Sequence, residues 1–205
     1  MNMFKIQNKQ ILGLFIILLS LVLIGCAPKR VARVDSSTVT DLSGRWNDTD
    51  SRLVSKEMIQ DALSRPWLGE FKEKNKQKPK VIVGKVFNKS HEHINIETIT
   101  QDLERALLNS GMVKFVATRE ERQELREERD DQAAHAGSGG ISIKGEAVAD
   151  FMVKGSIKTI VDELDGTKVV FYQVDLILID IQTNDKVWMG QKKIKKIIER
   201  SGSKW

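Results

Sequence analysis

Cys26 is the one cysteine in a chain of 205 residues, and it directly follows Leu23-Ile24-Gly25 at the end of an uncharged apolar run. Lys5 and Lys9 supply a positive lead-in, and Ile11 to Ile24 an apolar stretch of about 14 residues, short for a bilayer span. Small Gly25 leaves the backbone beside the thiol open to a peptidase. The pattern reads as a lipoprotein signal: cleavage before Cys26 and acylation of its sulfur and new amino group turn an apparent membrane span into a lipid anchor. Each buried methylene of such an anchor contributes about 0.8 kcal/mol, so three acyl chains hold the protein at a membrane. Ala27, in place of an Asp, makes the outer membrane the expected destination under the usual sorting rule, with the domain facing the periplasm.

Other residue groups promise less chemistry. His91 and His93, with Glu92 between them, could both ligate a metal from an extended segment, but the next histidine, His135, lies far along the chain and no second thiol exists. A solvated loop is the simpler reading. Gly137-Ser138-Gly139-Gly140 has the composition of a phosphate cradle, yet no Lys-Ser or Lys-Thr follows, so a mobile loop over Ala133 to Ile141 is expected. Asp150, Asp162, Asp165, Asp175 and Asp180 fall on or beside expected strands, where paired acids could exchange protons, but nothing in their spacing forms a pocket. Trp46, Trp67, Trp188 and Trp205 are scattered and read as packing residues. No catalytic constellation, cofactor site or metal site is expected, and the chain is read as a non-enzyme.

Two basic groups could serve recognition. Arg119, Arg122, Arg126 and Arg129 recur at three or four residues, forming one stripe along a helix that suits an acidic partner. Lys192-Lys193-Ile194-Lys195-Lys196 is the densest basic run and the second candidate. Overall charge is modest: removing residues 1–25 takes away Lys5 and Lys9 and no acid, so +5 becomes +3. That gives no case for nucleic acid. With Cys26 acylated no disulfide can form, so stability must come from a core, and the length after the signal suits one monomeric domain.

The elements that would position these residues follow from periodicity. Residues 1–25 form the signal and 26–46 a lipidated tether with the polar stretch Asp35 to Thr40; residues 47–200 form the domain. A helix is expected over Ser51 to Leu63, with Leu53, Val54, Met58 and Ala62 inward, stopped by Pro66. Lys80 to Phe87 reads as a buried strand, Glu97 to Asn109 as a helix with Ile99, Leu103, Ala106 and Leu107 inward, and Val113 to Val116 as a short strand. Thr118 and Glu121 have capping-box spacing and open a charged, solvated helix from Arg119 to about Gln132. A short helix is expected within Ser142 to Ala149. Phe151 to Glu163, Lys168 to Ile181 and Lys186 to about Ile194 read as an antiparallel meander with an Asp165-Gly166 hairpin turn. Apolar Ile177, Ile179 and Ile181 opposite Leu176 and Leu178 suggest that helices flank the sheet, in an α/β (α+β) fold.

The segments Asp41 to Asp50, Val81-Ile82-Val83-Gly84 with Asn88-Lys89-Ser90, His93-Ile94-Asn95, Phe115 through Arg129 and Val169 to Lys196 resemble the penicillin-binding protein activator LpoB family. The resemblance covers nearly the whole mature chain. It implies an outer-membrane lipoprotein whose domain is a mixed sheet with helices, similar to the amino-terminal domain of the Tol system's propeller protein. It further implies that the chain binds a class A penicillin-binding protein and stimulates its glycan polymerisation and cross-linking. The studied members carry a long Pro-rich tether, whereas this one is short, so a structural or assembly lipoprotein of an outer-membrane or secretion complex is the alternative.

Overall fold

The computed structural model describes residues 31–135 and 145–199. The described elements are helices α1 (Asp48–Leu63), α2 (Pro66–Asn75), α3 (Ile96–Asn109) and α4 (Arg119–His135) and strands β1 (Lys80–Lys89), β2 (Lys114–Phe115), β3 (Phe151–Leu164), β4 (Thr167–Asp180) and β5 (Lys186–Glu199). The strands form one mixed sheet in the order β2-β1-β3-β4-β5, with β1 parallel to both its neighbours and β3, β4 and β5 antiparallel. This is an α+β domain, and the expected three-stranded meander is its largest part.

Strand periodicity sets the core. Tyr172, Val174, Leu176 and Leu178 of β4 are buried, as are Val153 and Ile157 of β3 on the same face. A bulge between Val83 and Val86 in β1 shifts the register so that both valines turn inward. Gly155 lets β3 and β4 approach: a Cβ there would lie 2.1 Å from the Asp175 carbonyl oxygen. Ile99, Leu103 and Leu107 of α3 and Val54, Met58, Ile59 and Ala62 of α1 cover this face. Burying each large aliphatic side chain contributes about 1.5–3 kcal/mol.

Several expectations change in the structure. Leu53 is 45 % exposed, and Ile59 takes the inward place instead. Pro66 ends one helix and opens the next, standing at the first turn of α2, where its missing N–H costs nothing. Trp67 and Phe71 of α2 meet Phe151 edge-on at 4.9 and 5.3 Å. β5 runs five residues beyond Ile194, and α4 continues through His135, so residues 133–135 of the expected loop are helical. The expected short helix within 142–149 is not formed over 145–149, and residues 136–144 lie outside the described residues. The helices flank one face of the sheet; on the other, Ile160, Met189 and Ile197 are more than 60 % exposed and Ile177 and Ile179 only half-buried.

Candidate partner-binding surface

The amino-terminal strap of the folded unit, which begins at Val39, decides which basic residues remain free. Asn47 caps α1 by accepting from the Asp50 N–H, while Asp50 accepts from the Asn47 N–H, a reciprocal box. Lys196 of β5 then donates to Asp50 Oδ2 and Asp41 Oδ1, both at 2.7 Å, and to the Arg45 carbonyl at 3.1 Å. Burial pulls the Lys196 ammonium down, but the hydrogen bonds to Asp41 and Asp50 outweigh it and raise its pKa. Tyr172 Oη lies 2.7 Å from Glu92 Oε1, and the Trp46 N–H donates to Glu92 Oε2 at 3.1 Å. Burial and then Glu92 raise the Tyr172 phenol well above its usual range. Gly44 passes so close that a Cβ there would lie 2.3 Å from Ile198 Cγ1. Residues 41–46 are therefore fastened to β4 and β5 through Tyr172, Lys196 and Ile198.

This arrangement splits the Lys192 to Lys196 run. Lys192 pairs with Glu57 and Lys196 with Asp41 and Asp50, whereas Lys193 and Lys195 point to the open face by strand alternation. The cluster is not one continuous basic patch.

The arginine stripe is different. The Thr118–Glu121 capping box forms as expected, at 2.7 and 3.3 Å, and α4 buries no residue. Arg122, Arg126 and Arg129 converge on Glu146, at 3.8, 2.5 and 4.0 Å, and Arg119 lies one turn away at the helix start. Arg126 engages both Glu146 oxygens. That bidentate bond is the main reason the Glu146 carboxyl titrates below its usual range and the Arg126 guanidinium above its own. Arg122 also donates to the Ala117 carbonyl at 2.7 Å. Glu146 was not singled out in the sequence, because it stands 20 residues from Arg126 across a stretch with no periodicity.

His91 places its backbone N–H and Nδ1 3.1 and 2.9 Å from Thr159 Oγ1, and His91 and His93 edge a groove of about 480 Å³ with Arg45 and Lys168. His135 Nδ1 lies 2.9 Å from the Asp131 carbonyl oxygen in α4. Among the described residues no three of His, Cys, Asp and Glu gather as a metal would need. Asp150 accepts from the Lys80 N–H, Asp175 from Lys158, Gln173 and Gln191, and Asp180 from the Gln182 and Thr183 N–H groups. Trp188 donates to Asp61 and Trp46 to Ser51. Cys26, Gly137 to Gly140 and Trp205 lie outside the described residues.

Residues 50–194 match the family model described as peptidoglycan-synthase activator LpoB. The chain belongs to the LpoB family. Its matched span begins at Asp50, within the capping box, and ends in β5. The carboxy-terminal domains of LpoB from Salmonella enterica and Escherichia coli are similar at 16 % and 17 % identity, with TM-scores of 0.40 and 0.41. Each comparison covers 72 % of this chain and 99 % of the other. Lipoprotein GNA1162 from Neisseria meningitidis is similar at 14 % identity over 61 % of this chain and 88 % of its own, with a TM-score of 0.37. No curated protein matches the chain in sequence. The LpoB family's description names an activator of a synthase rather than a catalyst, and among the described residues of this member no helix is long and apolar enough to cross a membrane.

Proposed function

We propose that the chain is a non-enzymatic lipoprotein, anchored through Cys26 in the outer membrane with its domain in the periplasm, that binds a class A penicillin-binding protein as a monomer and activates it. The observation that carries this reading is the family match over residues 50–194. Activation is then a population shift: the domain binds the active conformation of the synthase more tightly than the inactive one and draws it over by that difference. The stripe Arg119, Arg122, Arg126 and Arg129 along α4, a helix that buries no residue, supports docking of an acidic domain. Mature protein mixed with a purified class A synthase should raise both glycan polymerisation and cross-linking. Reversing the charge of Arg122 and Arg126 should abolish the effect in low salt without unfolding the domain. Unchanged synthase activity with the native chain would refute the reading.

One observation favours a second reading. About 12 residues separate Cys26 from the folded unit at Val39, which stretch to roughly 45 Å at most. So short a leash suits a structural or assembly lipoprotein whose partners lie near the outer membrane. Pull-down from crosslinked envelopes separates the two, by recovering either a synthase or an outer-membrane complex.

A further inference from the structure

Three guanidinium groups lie within 4.0 Å of one carboxylate, and Glu146 belongs to residues 145–149, which form no helix or strand. Beside the arginines is a cavity of about 140 Å³ lined by Phe115, Val116, Leu125 and Ala147. The dipeptide Glu146-Ala147 thus borders both parts of one site: the Glu146 carboxylate lies on the arginines, and both residues stand in the cavity wall with Arg122 and Arg129. Arg anchors beside an apolar pocket are the composition that concentrates binding energy at protein interfaces. Arg122 and Arg129 stand 3.8 and 4.0 Å from Glu146, beyond hydrogen-bond distance, so both keep donors for a second carboxylate.

Resting on the reading that the domain docks an acidic partner, we infer that Arg122, Arg126, Arg129 and the adjoining cavity form a recognition site for an acidic side chain followed by a small apolar one. In the free protein Glu146 occupies the arginine part as a self-ligand, while Ala147 stands in the wall of the open cavity. The occupant on docking is an acidic segment of the partner protein, which takes Glu146's place on Arg126. Glu146 thereby sets the affinity threshold of the surface.

The test compares mature wild-type, Glu146→Gln, Arg126→Ala and the double variant for binding to a purified class A synthase, with circular dichroism to show that each is folded. Glu146→Gln should bind about threefold tighter, Arg126→Ala at least about tenfold weaker, and Glu146→Gln should bring no gain in the Arg126→Ala background. Unchanged or weaker binding by folded Glu146→Gln would overturn the inference and leave Glu146 as a fastener of its own segment. If wild type does not bind the synthase, it is the functional reading that fails. The inference is then decided by adding the peptide acetyl-Gly-Glu-Ala-Val-amide to the Glu146→Gln chain. A saturable shift of the Arg126 Nε–H resonance, absent with the Gly-Gln-Ala-Val peptide, sustains the site, and no shift refutes it.

Discussion

Lys195 and Lys196 are adjacent in sequence and opposite in fate, because a strand turns successive side chains to opposite faces. Lys196 is 10 % exposed and neutralises Asp50, which is 6 % exposed. Lys196→Met strands that carboxylate without its counter-ion and should lower unfolding free energy by about 3 kcal/mol in urea titration. Lys195→Met should stay within about 0.5 kcal/mol. Acidity acts on the same kind of contact. Lys196 and Asn47 hold the Asp41 carboxyl below its usual range, and Trp188 and Arg65 do so for Asp61. Burial raises that of Asp175, but hydrogen bonds from Gln191, Lys158 and Gln173 win. A carboxyl depressed by folding contributes stability that is present above its unfolded pKa of about 3.9 and lost as pH falls through the folded value. The melting temperature should therefore hold from about pH 7 to pH 5 and drop below about pH 4, with Asp61→Asn and Asp175→Asn each flattening the drop. For Lys196, raised by folding, the sign reverses: its contribution stands below about pH 10.4 and fades above it.

At the scale of elements, α4 depends on its cap more than on packing. Thr118→Ala removes the acceptor for the Glu121 N–H and should cost the helix about 1 kcal/mol. Hydrogen exchange should quicken across residues 119–135 while the melting temperature of the domain stays put, since α4 buries no side chain. A fall in global stability would show that the helix belongs to the core after all. The charged periodicity that makes α4 solvated was plain in sequence, as was the capping box. α2 was not, because Pro66 reads as a stop signal when only the helix before it is considered, although proline serves equally well at a first turn. Leu53 misled for a related reason: on a helix whose apolar stripe is narrow, one residue of rotation exchanges Leu53 for Ile59.

For the molecule as a whole, two outcomes are expected. Cys26→Ser should abolish labelling by an alkyne fatty acid, since no other thiol exists to carry it; label that persists would remove the anchor. Chelator or reductant should leave the melting temperature of the mature chain within experimental scatter, because its core is built from apolar side chains such as Ile99, Leu103 and Tyr172. What the sequence determined by itself was local: the periods of the long helices, the Asp165-Gly166 turn with positive φ at both residues, and the alternation of β4 that names its buried side. These depend on neighbours a few residues apart, whose geometry the backbone dictates. What only the tertiary structure decided was pairing across distance. Asp41 meets Lys196, Glu92 meets Tyr172, and Glu146 meets three arginines. Charged groups carry no period that announces their partners, and the partner is selected by where the packed core brings two segments together.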